Sequence, residues 1–297
     1  MNKIWKLLSL TIVLLLFLAF AGCKKDNIQN NENNVEENNN EDNRDNNEDN
    51  NKDNRQNIVS HESYKIMIGT SLETEVHVFT SSIEGPTIFI TGGTHGDELA
   101  GWKAAEKLLT KEYYEKFIGK VIIIPYLNKL ACDLQQRYPG VSNKGSYNGE
   151  TYSDLNRAFP GKEDGTLTEQ LAFAICEEVR KYNPKYVVDL HESRGSYTTE
   201  DTGKYKLGNE LLYANGKSSL MCEDILEIFN RDYLSTDDVR WNQEGPGVEG
   251  SFNAWYGQTL KLYGFTIETS RQLSLEKRVS QQLKVLEILF EYAWNEE

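Results

Sequence analysis

Proline and cysteine are scarce in this sequence, at six and four among 297 residues. Beyond Cys23, the remaining Cys132, Cys176 and Cys222 show no C-x-x-C spacing, and their odd number argues against a disulfide framework. Cations are outnumbered, with 32 Lys and Arg against 46 Asp and Glu, a net charge of −14 and a pI near 4.9. That balance argues against nucleic acid as a partner. The glycines of "TGGTHGDE" make neither G-x-x-x-x-G-K-[ST] nor G-x-G-x-x-G, so a phosphate cradle there is unsupported. H-E-x-x-H and G-x-S-x-G are also missing, which removes the zincin and serine α/β-hydrolase readings. The chain shows no internal repeat and only one long apolar run, and it carries four histidines.

That run belongs to the leader. In "MNKIWKLLSLTIVLLLFLAFAGC", Lys3 and Lys6 precede the apolar stretch, and Ala21 and Gly22 stand before Cys23. The pattern is that of a signal peptide over residues 1–22. Small residues before a cysteine resemble a bacterial lipobox, which implies a lipidated Cys23 as mature N-terminus and anchorage on the outer face of a bacterial membrane. An ordinary cleaved signal and a retained membrane anchor are the alternatives. Residues 23–59 are almost entirely Asn, Asp and Glu. They have too little apolar surface to offset their ordering entropy and read as a disordered tether. As a flexible coil such a tether spans roughly 30–35 Å, and more where its acidic charges repel.

From residue 60 to 297 the composition becomes that of one large domain able to bury a substantial core. "TIFIT" (87–91), "VIIIP" (121–125), "YVVDL" (186–190) and "FTIET" (265–269) read as buried strands, and "EVHVF" (75–79) alternates like an edge strand. Helical patterns lie between them in "DELAGWKAAEKLL", "LTEQLAFAICEEVRKY" and "SSLMCEDILEIF". A last amphipathic stretch carries Leu283, Leu286, Ile288 and Leu289. Strands alternating with helices predict an α/β fold around a mixed, largely parallel sheet flanked by helices. The long polar segment from Asp133 to Gly161 is of the kind that usually serves function.

Ligands of open α/β sheets bind beyond the carboxyl ends of the strands. His95 and Glu98 follow one predicted strand, His191 ends another, and Glu268 closes a third. His95 and Glu98 stand where a helix starts, so both are able to face one ion. Adding His191 gives two imidazoles and a carboxylate with a fourth position left for water, a catalytic zinc arrangement. The competing reading is a glycine-rich turn in which Asp97 or Glu98 caps the next helix. Asp189, two before His191, reads either as a partner of that histidine or as a buried structural carboxylate. His61 and His77 fall outside the constellation, and His77 reads as a surface histidine.

Four segments in order, "GGTHGDELAG", "DLNRAFPG", "VVDLHES" and "GFTIETS", resemble the motifs of the zinc carboxypeptidase superfamily. The similarity is to its succinylglutamate desuccinylase/aspartoacylase and murein peptide amidase branches. The resemblance implies Zn²⁺ held by His95, Glu98 and His191, with Glu268 as the base that activates water. It implies Asn156 and Arg157 as the grip on a substrate carboxylate, since a guanidinium fork matches that group. Arg137 would polarise the scissile carbonyl. "PGVEGSFNAWYG" resembles a murein peptide amidase segment, where Tyr256 or Glu249 would touch substrate unless the segment simply packs on the sheet. The implied activity is hydrolysis of a peptide or other amide bond beside a free carboxylate. The runner-up is deacylation of an N-acyl-amino acid. A third reading, a non-catalytic module binding cell-wall peptides, is disfavoured by the retention of Glu268 with all three ligands.

Overall fold

The computed structural model describes residues 57–195, 208–236 and 238–296. The expected leader, Cys23 and the tether up to residue 56 lie outside the described residues. At Asn57 the chain is already tied down, since its amide donates to Phe117 O at 2.8 Å and accepts from Ser81 Oγ at 2.7 Å.

Eight strands form one mixed sheet. In chain order they are β1 (Val59–Ile66), β2 (Thr74–Ser81), β3 (Thr87–Gly92), β4 (Lys120–Ile124), β7 (Tyr186–Ser193), β8 (Glu210–Tyr213), β9 (Asn242–Glu244) and β10 (Tyr263–Ser270). A small separate hairpin supplies β5 (Ser146–Tyr147) and β6 (Glu150–Thr151) within the long polar segment. The spatial order is β1-β2-β4-β3-β7-β10-β8-β9. The central pairs β4·β3, β3·β7 and β7·β10 are parallel. On one flank β1 and β2 run antiparallel, as does β8 on the other.

Five longer helices are α1 (Leu99–Lys107), α2 (Lys129–Leu134), α3 (Leu167–Tyr182), α4 (Gly216–Asp232) and α5 (Leu275–Asn295). Alternation along the strands decides which helix meets which face. Ile88, Ile90, Val188 and Ile267 pack with α1, α4 and α5, while Phe89 and Val187 join α3 and the 252–256 segment. Fully burying such a side chain contributes about 1.5–3 kcal/mol. The start of α3 is set by a capping box: Thr166 Oγ1 accepts from the Glu169 backbone while the Glu169 side chain reaches back to Thr166 N.

The sheet differs from the sequence reading at its edge. "EVHVF" is not an edge strand, because β1 pairs along its whole length. Accordingly His77 is not a bare surface residue: its side chain is 13% exposed and its Nδ1 lies 3.1 Å from His61 Nε2. The sequence of β1, VSHESYKI, is mostly exposed and polar, so its apolar alternation is too faint to read.

Candidate active site

The carboxyl ends of β3, β7 and β10 open into a cavity of about 710 Å³ lined by His95, Glu98, Arg137, Asn156, Arg157, His191 and Glu268 among others. All seven residues singled out from sequence therefore meet at one place. The cavity is of the size that takes drug-sized ligands.

His95, Glu98 and His191 each bring one ligand atom within 4.8 Å of the others, and they are only 3, 4 and 2% exposed. Glu98 occupies the N-cap position of α1, yet its side chain makes no capping bond. Instead its Oε1 lies 2.8 Å from His95 Nδ1 and its Oε2 lies 2.7 Å from His191 Nδ1. The capping duty passes to Glu192 of β7, whose Oε2 accepts from Ala100 N at 3.1 Å. Arg278 of α5 holds that carboxylate from behind. The glycine-rich turn ahead of α1 has a steric cause as well: a Cβ on Gly96 would stand 1.9 Å from Ala131 O of α2.

The outer nitrogens of both imidazoles are also held. His95 Nε2 lies 3.0 Å from Asp154 Oδ1, and His191 Nε2 lies 2.7 Å from Asp189 Oδ2. Asp189 is itself pinned, its Oδ1 accepting from Thr91 and Thr94 hydroxyls at 2.7 and 3.0 Å. A carboxylate behind each ring fixes the N–H on Nε2 and turns the Nδ1 lone pair inward. Gln282 of α5 donates to His191 O at 2.9 Å and steadies the backbone. Burial opposes charge on both rings, but Glu98 with Asp154 raises His95, and Asp189 with Glu98 raises His191 well above its ordinary value. Burial likewise opposes charge on Glu98, yet the two imidazoles hold it well below the usual carboxylate range. The centre thus gathers one carboxylate and two imidazoles around a single point. This donor set, buried and oriented from behind, fits zinc.

Glu268 sits beside His191 in the parallel register of β10 and β7 and is 8% exposed. Burial pushes it up to about 8, with Glu98 and Glu210 adding to the rise and His191 opposing it. Glu210 faces it across the antiparallel β10·β8 pair. Glu210 is itself fully buried, and its burial and the charge of Glu244 push it up to about 7 against a bond from Gly208 N.

Arg137 forks Asp154 with Nε and one Nη at 2.9 Å each, and its other Nη lies 3.6 Å from Glu98. Asp154 thereby links Arg137 to His95. The "SDLNR" stretch gives no sign of this role, because the partners of Asp154 lie far away in sequence. Burial works against its charge, but His95 and Arg137 hold it well below the ordinary range. Asn156 Oδ1 accepts from Phe252 N at 3.0 Å, which leaves its NH₂ donors available. Arg157 Nη1 donates to Asn156 O at 2.6 Å, and its guanidinium meets no carboxylate among the described residues. Gly250, at φ +81°, is where a Cβ would strike Arg157 O at 2.7 Å, so the 245–252 loop can lie directly on the Asn156-Arg157 turn. Arg271, just past Glu268, pairs with Asp97 at 3.1 Å. The aromatic segment packs on the sheet: Tyr256 is fully buried and neither it nor Glu249 lines the cavity.

The sequence profile of the succinylglutamate desuccinylase/aspartoacylase catalytic domain matches residues 84–286. N-alpha-acetyl-L-2,4-diaminobutyric acid deacetylase of Halomonas elongata is 40% identical over 108 residues. That alignment takes in 36% of this chain and only 29% of the relative. A succinylglutamate desuccinylase structure from Silicibacter sp. TM1040 superposes at TM-score 0.56 with 21% identity, over 81% of this chain and 68% of that one. The mDAP-bound form of Helicobacter pylori Csd4, a D,L-carboxypeptidase, gives 0.58 with 20% identity, over 70% and 51%. At such identities the two structures share the fold.

Proposed function

The chain belongs to the succinylglutamate desuccinylase/aspartoacylase family, and from that premise we propose that it is a zinc-dependent hydrolase cleaving an amide bond beside a free carboxylate. The observation that carries the reading is the buried centre of His95, Glu98 and His191, with Glu268 at its side and an unpaired guanidinium in the same cavity. Held by those three residues, zinc would supply Lewis acidity and lower the pKa of water to about 7. Glu268 takes the proton of the attacking water and returns it to the leaving nitrogen. Arg137, fixed by Asp154, presents its other Nη, 3.6 Å from Glu98, to the scissile carbonyl oxygen. Arg157, exposed at the rim, and the half-buried Asn156 amide hold the substrate carboxylate.

The substrate reading is a peptide with a free carboxylate, of the kind an exported enzyme meets in a cell wall. N-acyl-amino acids are the second reading, supported by the 40% identity to a deacetylase. Both are tested by hydrolysis of peptides, muropeptides and acyl-amino acids, with and without chelator, each as free acid and as amide. Turnover that stops with chelator and falls sharply on amidation is expected. Chelator-resistant turnover, or equal rates on acid and amide, overturns the reading. We propose in addition that a lipidated Cys23 anchors the protein to the membrane. Among the described residues no helix is long and apolar enough to cross one. Fractionation of Cys23→Ser is expected to find the protein released, since the tether then has no anchor.

A further inference from the structure

Most charges around the cavity are neutralised by neighbours. Arg137 is paired with Asp154, Arg271 with Asp97, Glu192 with Arg278, and Glu98 with two imidazoles. Apart from Glu268, already placed beside His191, three charged lining residues lack an ion-pair partner among the described residues: Arg157, Arg194 and Glu244. Arg194 directly follows β7 and is exposed at the rim. Glu244 is exposed as well, but the sheet fixes its place. Register places Thr266 beside Asp189, Leu212 beside Thr266, and Glu244 beside Leu212. Thr266 and Leu212 both line the cavity, so they form a floor leading from the metal end to Glu244. Two strand spacings, about 10 Å, separate Glu244 from the strand bearing Glu268. That is the reach of one amino acid with an extended side chain. The loop after Glu244 lies on the Asn156-Arg157 turn, through Phe159 N to Gly250 O at 3.0 Å. The free anion and the free guanidinium therefore belong to one flank of the cavity.

We propose that Glu244 determines specificity by accepting the ammonium of a cationic side chain on the amino acid released, so that the substrate is an amide of a diamino acid. Resting on the hydrolase reading above, this gives Arg157 the carboxylate of the leaving residue and Glu244 its side-chain amine. The apolar reach of that side chain lies over Thr266 and Leu212. An acidic side chain there meets the Glu244 charge instead, and like charges facing across a site select against the wrong partner.

The experiment uses the zinc-loaded full chain and two matched pairs of probes. Peptides and Nα-acetyl amino acids ending in lysine or in norleucine are compared by kcat/KM, and binding of free lysine and free norleucine by calorimetry. Wild type is expected to favour the lysine member of each pair by about two- to fivefold, as for an exposed charge pair. Glu244→Gln should bring the ratio near one, and Glu244→Lys should shift preference toward glutamate-ended probes. A wild-type ratio near one, or a ratio unchanged in Glu244→Gln, overturns the proposal. Calorimetry separates the two claims. If no probe is hydrolysed yet lysine binds in preference to norleucine through Glu244, the hydrolase reading fails and the subsite stands. If norleucine probes are cleaved with no lysine preference, the reverse holds.

Discussion

Two pairs of histidines lie in this molecule with similar spacing and opposite consequences. His95 and His191 have ring centroids 4.9 Å apart, and those of His61 and His77 are 5.3 Å apart. In the first pair each ring nitrogen meets a carboxylate: Glu98 takes both Nδ1 atoms, and Asp154 and Asp189 take the Nε2 atoms. In the second, one ring nitrogen of each faces the other at 3.1 Å, and Glu75 reaches His77 only at 3.9 Å. The His61 ring is spent on Phe79, with centroids 4.3 Å apart. Burial lowers His77, with Glu75 too weak to reverse it, whereas the carboxylates raise both rings of the first pair. Proximity of two imidazoles is therefore not what marks a candidate metal centre. The anions that orient them are.

The sharpest way to break this contrast is Glu98→Gln. It removes the anion shared by both rings, and zinc per chain by elemental analysis should fall from one to near none. Hydrolysis should fall well beyond the roughly 10–100-fold that a partner behind a ligand costs. Full zinc in this variant would show that Glu98 is not a ligand. Glu268→Gln should keep the metal and lose roughly 10²–10⁴-fold in turnover, because an amide cannot take the water proton. Asp189→Asn tests the carboxylate behind His191. Its zinc affinity, measured by competition with a chelator, should weaken by roughly 10–100-fold, and unchanged affinity would make Asp189 a merely structural residue.

The smallest effect is expected at the other pair. His61→Ala with His77→Ala should leave zinc content unchanged and shift stability by about 1 kcal/mol or less. Because the folded value of His77 is below its ordinary 6.5, the unfolded chain binds the proton more readily. The wild-type contribution is thus present above pH 6.5 and lost as pH falls below it. Melting temperatures of wild type and double variant should converge in that acidic window, and a gap that widens there contradicts the assignment.

The site was more legible in the sequence than the sheet that carries it. His95, Glu98, His191 and Glu268 stand just past apolar runs that could only be buried strands, and strand ends converge in this class of fold. The supporting residues were hidden for a common reason. Asp154 meets His95 and Arg137 across loops, and Arg278 and Gln282 reach β7 from a helix near the far end of the sequence. No local pattern encodes such contacts. β8 has four residues, and β9 has three with no apolar side chain, so period-two alternation has nothing to act on. With those strands Glu210 and Glu244 also escaped notice.

The strand order carries a consequence in time. β10 lies between β7 and β8, yet it is the last strand to leave the ribosome. Until residues 263–270 are made, β8 and β9 have no place in the growing sheet, and the pocket has neither its floor nor Glu268. His95 and Glu98 emerge long before, and His191 later, but the brace from Gln282 to His191 comes later still. Domains form as units while their chains are synthesised from the N-terminus. Here the unit closes only when its last strand and helix arrive, so a nascent or truncated chain holds His95, Glu98 and His191 without the floor and brace around them.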